Sequence, residues 1–211
     1  MTGETSDVAD SSTGDDSDWP VELRGVTESV VTTLGPNDLW NVAALGLHPP
    51  EEEDGPATDA PVTARTWGNT RTRRNFYRQG RGYVQFTRDP IDFVEATLSI
   101  FEVEGPVLDG ADAWVEVTVE QVDSGESDDT RWEKWELRPH DSEIECEKVP
   151  TINRGFNSVV EATVAASRLD VDAYDEAKLR DRLAYFEEVG RKCGDDRVRR
   201  AFDRLQDHLD E

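Results

Sequence analysis

The feature that most constrains this chain is a change of hydrophobic period near Pro150. Before it, short runs of β-branched and aromatic residues are separated by turn signals, and residues 113–122 alternate apolar and polar side chains, which is typical of half-buried strands. After it, residues 153–169, 172–193 and 196–209 show helical spacing without strand runs. The sequence therefore predicts an α+β protein with a β-rich body and a helical unit packed on it.

The β-rich body is predicted to contain about seven strands and two short helices. The expected strands cover residues 26–33, 39–47, 62–67, 83–87, 113–122, 132–137 and 144–149. A helix over residues 72–79 would be capped by a threonine hydroxyl, and Asp89-Pro90 is a start signal for a second helix that ends near Ile100. Residues 48–61, with four prolines and a run of acids, are predicted to form an exposed loop.

The charge balance restricts the partners that the surface can attract. The chain has 47 acidic and 23 basic residues, for a net charge of −24, and such a surface repels nucleic acid and acidic membranes as a whole. Of the basic residues 19 are Arg and only four are Lys, a composition similar to that of haloarchaeal cytosolic proteins. In molar salt the Debye length falls to about 3 Å, so repulsion among the carboxylates is screened.

The same composition predicts the domain boundaries and the location. We expect a disordered acidic tail over residues 1–20, a barrel domain over residues 21–150 and a helical subdomain over residues 151–211. No apolar run approaches the roughly 20 residues that cross a bilayer, and the acidic start lacks the parts of a signal peptide. A cytoplasmic protein without a membrane partner is therefore expected.

Residues 65–88 differ from the rest of this acidic chain, because they hold seven arginines and no Asp or Glu. The arginines are Arg65, Arg71, Arg73, Arg74, Arg78, Arg81 and Arg88. Gly68 introduces a turn that leads into a helix start with threonine hydroxyls, an amide and guanidinium groups, which together suit a phosphate dianion. The alternative is that these arginines pair with surface carboxylates, which is common and contributes about 0–1 kcal/mol per exposed pair.

Several spaced blocks resemble one known family. They cover residues 28–33, 41–46, 68–75, 84–90, 153–154 and 161–168, and they are similar, in this order, to the archaeal domain-of-unknown-function family four-four-seven. The chain departs from the family pattern at Ala44, Asn69 and Gln85. The resemblance implies an FMN-binding split β-barrel of the flavin reductase type, followed by a small C-terminal helical region.

The resemblance also implies a set of FMN-binding residues. The phosphate turn would consist of Gly68, Asn69, Thr70 and Thr72, with Asn75 beside it and either Arg65 or Arg73 as the charge partner. The residues near the flavin ring would be Asn41, Ala43, Gly46, Gln85 and Thr87. For Asn41 and Gln85 the alternative is that their polar groups are simply satisfied at strand ends.

Three functions follow from these features. The first is an FMN-dependent oxidoreductase of unknown substrate, with NADH, NADPH or another electron donor, in which the flavin supplies the redox chemistry. The second is a non-enzymatic flavin carrier or sensor. The third is a nucleic-acid binder that uses the arginines of residues 65–88 and the interleaved aromatic residues, although the net charge and molar salt both oppose it.

Other residue types indicate no further chemistry. His48, His140 and His208 lack metal-ligand spacing, and Cys146 and Cys193 are interpreted as ordinary thiols. Sequence motifs of serine hydrolases, P-loop NTPases and classical dinucleotide-binding folds are missing, and no catalytic residue is assigned. Trp114, Trp132 and Trp135 are predicted to lie in the core or on a subunit face, and we expect a homodimer.

Overall fold

A computed structural model describes residues 19–23, 25–50, 61–127, 130–147 and 152–210. The strands are β1 (Thr27–Leu34), β2 (Trp40–His48), β3 (Val62–Trp67), β4 (Arg81–Thr87), β5 (Phe101–Val103), β6 (Ala111–Ser127) and β7 (Thr130–Ile144). The helices are α1 (Arg71–Gln79), α2 (Pro90–Leu98), α3 (Arg154–Ala166), α4 (Glu176–Cys193) and α5 (Asp196–Asp210). None of the described helices combines the length and apolar character that crossing a membrane requires.

Six strands close into an antiparallel barrel, in the order β1-β4-β6-β7-β3-β2 with β2 pairing back onto β1. On its other side β2 pairs with β5 over Trp40–Val42 and with β3 only at Leu47 and His48. Among the described residues, no strand pairs with residues 43–46 on that side of β2. The barrel is therefore open between residues 43–46 of β2 and residues 65–67 of β3, an opening that we call the split.

Strand alternation divides the barrel residues into an inner and an outer face. The inner face holds the main core, which includes Val31, Leu45, Val84, Trp135 and Leu137. Helix α1 covers one end of this barrel and inserts Phe76 into the same core, with its ring 5.2 Å from that of Trp135. Burial of these large apolar side chains is the main driving force for closing the barrel.

Local signals set the limits of α1. The Thr70 hydroxyl accepts a hydrogen bond from the Arg73 N–H at 3.2 Å, so it caps the N-terminus as predicted. Gly80 ends the helix with a left-handed φ of 65° and donates its N–H to the Phe76 carbonyl. Asp89 likewise caps α2, with Pro90 at its first position, which confirms both predicted helix starts.

The C-terminal helices form a second core with α2. Val94 of α2 packs with Val159 and Ala162 of α3 and with Phe202 and Leu205 of α5. On its other side α2 packs Phe93 and Ala96 against Val30 and Val42, which belong to the outer face of β1 and β2. The helical subdomain therefore sits on the outside of the barrel, next to the split, and the predicted α+β arrangement is confirmed.

Three details of the predicted elements are wrong. Residues 144–149 were expected to form a separate strand, but Ile144 is the last residue of the long strand β7, which pairs with β6 along its length. Residues 145–147 are not in a strand, and residues 148 and 149 lie outside the described residues. The three-residue strand β5 was not predicted, since it is too short to show a period. The helix expected over residues 172–193 begins only at Glu176, after its Asp175 cap.

The three tryptophans do not share one surface. Trp135 points into the barrel core and is fully buried, so it cannot lie on a subunit face. Trp114 and Trp132 are partly buried, and the homodimer stays a prediction.

Two predicted segments fall mainly outside the described residues. These are the tail expected over residues 1–20, of which residues 1–18 are not described, and the loop expected over residues 48–61, of which residues 51–60 are not described. Trp19, placed within the expected tail, packs instead against the barrel, with its ring 6.4 Å from that of Phe86.

Candidate functional site

A cavity of about 570 Å³ lies between the outer face of the barrel at the split and the helical subdomain. We call it the cleft. Its barrel wall includes Glu28, Ala44, Gly46, His48, Arg65 and Trp67, and its helical wall includes Phe93, Thr97, Val164, Arg168, Val171 and Tyr174. Its volume is within the range of about 300–1,000 Å³ that is typical of small-molecule sites.

The cleft combines aromatic surface with positive charge. Trp67 and Tyr174 are 48% and 47% exposed, although both are large apolar groups. The guanidinium of Arg65 lies 4.9 Å from the centre of the Trp132 ring, and that of Arg168 lies 5.2 Å from the centre of the Tyr174 ring. These stacked cations and open rings suit a ligand with a planar ring and an anionic group.

One carboxylate, Glu28, also lines the cleft. Burial raises the pKa of Glu28 above its ordinary value, although electrostatic interactions with Arg168 and His48 act in the opposite direction. This carboxyl group is therefore easier to protonate than a fully hydrated one.

The Gly68 turn, which we define as residues 68–72, joins the cleft to the start of α1. Gly68 has a φ of 66°, which favours glycine, and donates its N–H to the Arg131 carbonyl at 2.7 Å. The first backbone bond of α1 runs from the Arg74 N–H to the Thr70 carbonyl, and the Arg73 N–H is bonded to the Thr70 hydroxyl. The amides of Arg71 and Thr72 are therefore the open ones of the first turn. Trp67 and Thr70 are three residues apart, so their Cα atoms lie within about 11 Å of each other.

The arginines of residues 65–88 are largely paired. Four of them form ion pairs with carboxylates of other strands: Arg71 with Glu102, Arg73 with Glu133, Arg81 with Glu116 and Arg88 with Asp112. Arg74 and Arg78 donate to the backbone carbonyls of Asn69 and Leu34. The four ion-paired arginines therefore agree with the alternative prediction, that arginines of this segment pair with carboxylates.

Arg65 and Arg73 therefore differ as possible phosphate partners. Arg73 reaches under α1 to Glu133, a fully buried carboxylate that Arg131 also approaches at 3.0 Å. Burial opposes the charge of Glu133, yet the hydrogen bond and charge of Arg73 hold the pKa of this carboxyl below its ordinary value. Arg65 instead faces the cleft, so it is the better placed of the two to meet a ligand.

The residues expected near the flavin ring do not lie on one surface. Asn41 and Ala43 are on the inner face of β2, where Asn41 donates to the Thr72 hydroxyl at 3.3 Å and Ala43 packs on the barrel core. Gly46 is on the outer face and lines the cleft. Period-two alternation requires this separation, so one planar ring cannot contact all three side-chain positions from the same side.

The other residues expected near FMN form hydrogen bonds with other parts of the protein. Asn75 donates to the Thr33 hydroxyl at 2.9 Å, which ties α1 to β1. Gln85 is fully buried, donates to the Thr32 hydroxyl and accepts the Leu108 N–H at 2.7 Å. Thr87 donates to the Gly110 carbonyl at 3.1 Å. The polar groups of Asn41 and Gln85 thus have hydrogen-bond partners within the protein, which was the alternative to flavin binding. The roles of these residues toward FMN stay predictions.

Sequence reasoning missed four residues of this region: Glu28, Arg168, Tyr174 and Glu133. Arg168 lies in one of the blocks that resemble the family, but no role followed from that position. Glu133 carried a usable signal, because it is an acid at an inward position of an alternating strand. Tyr174 stands in a turn before α4, and nothing in its neighbourhood indicates a site.

The described residues contain no group of three or more His, Cys, Asp or Glu side chains placed to hold a metal ion. His48 lines the cleft, and His208 lies 3.1 Å from a Glu95 oxygen. Cys146 and Cys193 are free thiols.

A six-stranded barrel with an open side and helices packed beside the opening defines a split-barrel protein. The chain belongs to the DUF447 family, described as a protein family of unknown function, whose N-terminal domain matches residues 27–146 and whose second part matches residues 153–207. The crystal structure of an FMN-bound DUF447 protein from Methanosarcina mazei has the same fold. It is 24% identical to this chain with a TM-score of 0.70, and the match covers 89% of this chain and 96% of that one.

Two further solved structures are more distantly similar. The flavin reductase of styrene monooxygenase from Pseudomonas putida is 13% identical, with a TM-score of 0.41, and the match covers 60% of this chain and 93% of that one. Flavoredoxin from Methanosarcina acetivorans is 12% identical, with a TM-score of 0.40, and the match covers 63% of this chain and 79% of that one.

Proposed function

We propose that this protein binds FMN, with the flavin ring in the cleft and the phosphate at the Gly68 turn, and that it is a flavin-dependent oxidoreductase. The observation that carries the proposal is that the N-terminus of α1 and the aromatic cleft lie next to each other. A helix N-terminus suited to a phosphate begins within three residues of Trp67, a wall of an aromatic cleft. The ribityl phosphate arm of FMN can span that distance, and the FMN-bound DUF447 protein from Methanosarcina mazei supports flavin binding.

The residues present fit the parts of FMN. The open amides at the start of α1 and the Thr70 hydroxyl suit the phosphate, and Trp67 on the barrel wall suits a planar ring. Gly46 has no side chain and so leaves space for a ring in the cleft. A Cβ at this position would lie at ordinary contact distances from its neighbours, 3.6 Å from Val26 Cγ1 and 4.0 Å from Glu28 Oε2. The protein therefore tolerates a side chain at this position, whereas a bound ring would lose its space.

Each part of the chain has a role in this proposal. Bound FMN supplies the redox chemistry. The Gly68 turn holds the phosphate, the barrel wall orients the ring, the helical wall limits the access of water, and Glu28 can hold or release a proton beside the ring. NADH or NADPH is the proposed electron donor, and a flavin carrier or sensor is the alternative that lacks this reaction.

The absorption spectrum of protein purified in molar KCl separates these functions. We expect a yellow protein whose flavin band is bleached by NADH or NADPH under nitrogen. A yellow protein that neither nucleotide bleaches would favour the carrier. A colourless protein that takes up no added FMN would contradict the proposal altogether.

Thr70→Ala tests the phosphate position. We expect the dissociation constant for FMN to rise about tenfold, because one hydroxyl bond to a charged phosphate is lost, while that for riboflavin stays unchanged. The measurement is a fluorescence titration of the flavin-free protein in molar KCl.

The matched control for Thr70→Ala is Asp175→Ala. Asp175 caps α4 with the same kind of bond, to the Lys178 N–H at 3.2 Å. Its loss weakens a helix by a similar amount, about 1 kcal/mol, without changing the Gly68 turn. If both variants bind FMN like the natural protein, the phosphate lies elsewhere.

A further inference from the structure

The cleft has a helical wall to which the FMN phosphate site assigns no role. This wall is the connection between α3 and α4, residues 167–175, and it presents Arg168 and Tyr174 to the barrel. The connection is internally bonded: the Val171 N–H donates to the Arg168 carbonyl at 3.2 Å, and the Tyr174 N–H donates to the Val171 carbonyl at 3.0 Å. The two side chains are therefore held by an ordered turn rather than by a loose loop.

Among the residues that the structure describes, no close ion pair neutralises the positive charge at this wall. Within the described part of the chain, Arg65 and Arg168 form no ion pair with a carboxylate, in contrast to Arg71 and Arg73. Glu28 influences Arg168 electrostatically, but one carboxylate cannot balance two guanidinium groups. Both arginines stack on aromatic rings, which orients them while leaving N–H groups able to bind an anion.

We propose that Arg168, with Arg65 on the barrel wall, binds the anionic group of a second ligand that lies beside the flavin ring in the cleft. This inference rests on the proposed function and names the substrate class of the same site: a planar molecule with a phosphate, sulfonate or carboxylate group. Tyr174 contributes a face for the planar part. The helical subdomain is thus half of the binding site and selects the second ligand.

The expected specificity follows from the kind of bond. A guanidinium forms short, charge-assisted bonds with an oxyanion, and these depend less on ionic strength than long-range attraction does. The site should therefore distinguish an anion from its uncharged analogue even in molar salt. A cleft without such a guanidinium would bind the anion and its uncharged analogue with similar affinity.

The test uses two fluorescent probes of similar shape. Anilinonaphthalene sulfonate carries an anionic group, and phenylnaphthylamine lacks it. Both are titrated into the FMN-loaded full chain in molar KCl, for the natural protein and for Arg168→Gln. We expect Arg168→Gln to raise the dissociation constant of the sulfonate about tenfold and to leave that of the uncharged probe unchanged, while Arg168→Lys restores part of the affinity.

Two controls make the result specific. Arg180→Gln removes the same charge from an exposed position on α4, where Arg180 pairs only locally with Glu176 at 2.8 Å, and it should change neither probe. The affinities of FMN and riboflavin are measured for Arg168→Gln as well, and both should be unaffected.

The other outcomes overturn the inference. Equal loss of both probes would mean that Arg168 shapes the cleft without binding an anion. Weakened FMN with unchanged riboflavin would place the flavin phosphate itself on Arg168. If the natural protein binds no FMN, the proposed function fails, but the two probes in the flavin-free chain still decide whether Arg168 selects an anion.

Discussion

Glu133 shows how strongly one residue can depend on a partner that is distant in sequence. Its side chain faces the barrel interior, where an isolated carboxylate would be very costly. Arg73 of α1, 60 residues away, donates to it from the end of the barrel. Removing one member of such a pair leaves an uncompensated charge, which typically costs about 3–5 kcal/mol.

Glu133→Gln should therefore lower the free energy of unfolding near pH 7 by about 3 kcal/mol. The pKa of Glu133 in the folded protein lies below the ordinary value of 4.5, so its carboxylate stabilises the fold above that pH. This contribution is lost as the pH falls through the folded pKa. Urea unfolding in molar KCl, from neutral to acid pH, should show the difference between the two proteins shrinking.

The control for this change is Glu143→Gln, which alters an exposed acid on the same strand. It should have little effect at any pH. A difference between the natural protein and Glu133→Gln that stays constant down to acid pH would contradict the role given to the ionised carboxylate.

At the scale of elements, the contact of α4 with α3 and α5 depends on one glycine. A Cβ at Gly190 would lie 2.0 Å from Phe202 Cε2 and 2.8 Å from the Ser158 hydroxyl oxygen. Phe202 is fully buried in the helical core, so it has little room to move. The helices can approach this closely only because position 190 has no side chain.

Gly190→Ala should destabilise the protein by about 1–3 kcal/mol, the usual cost of overpacking a core, although alanine is the better helix former by about 0.5–1 kcal/mol. Thermal unfolding measures this change. Gly105→Ala is the control, because the nearest atom to its added Cβ would be the Val107 oxygen at 4.0 Å. If Gly190→Ala were as stable as the natural protein, α4 could move away from α3 and α5 without loss of stability, which would contradict the prediction.

At the scale of the whole molecule, the net charge of −24 opposes compactness. Some acids are used in ion pairs that join the two parts of the fold: Arg197 pairs with Asp89, and Arg204 pairs with Glu95 at 2.7 Å. Because acids outnumber bases two to one, most carboxylates remain without a matching cation and repel one another.

We therefore expect the melting temperature to rise steeply as KCl is increased from a dilute to a molar concentration, since salt screens this repulsion. Circular dichroism at each salt concentration measures it. Sucrose at matched osmolality is the control, because it adds no ions and should reproduce only a small part of the effect. A melting temperature independent of salt would contradict the prediction.

Local patterns in the sequence are enough to predict the kinds of elements and several of their ends. Runs of β-branched and apolar residues bounded by turn residues predicted β1, β2, β3 and β4, and helical spacing predicted α3 and α5. A threonine cap and the Asp89-Pro90 pair predicted the starts of α1 and α2. These features depend on neighbours within a few residues, so they can be read locally. Alternation also required Ala43 and Gly46 to face opposite sides of β2.

Only the tertiary structure decided which residues meet. The barrel register places Glu133 beneath α1 and leaves β2 and β3 apart at the split, and the docking of the helical subdomain brings Arg168 and Tyr174 to the barrel wall. Ion pairs and cleft walls join residues separated by tens of positions, and no local pattern encodes such a pairing. The physical reason is that register and docking result from the summed packing of whole elements.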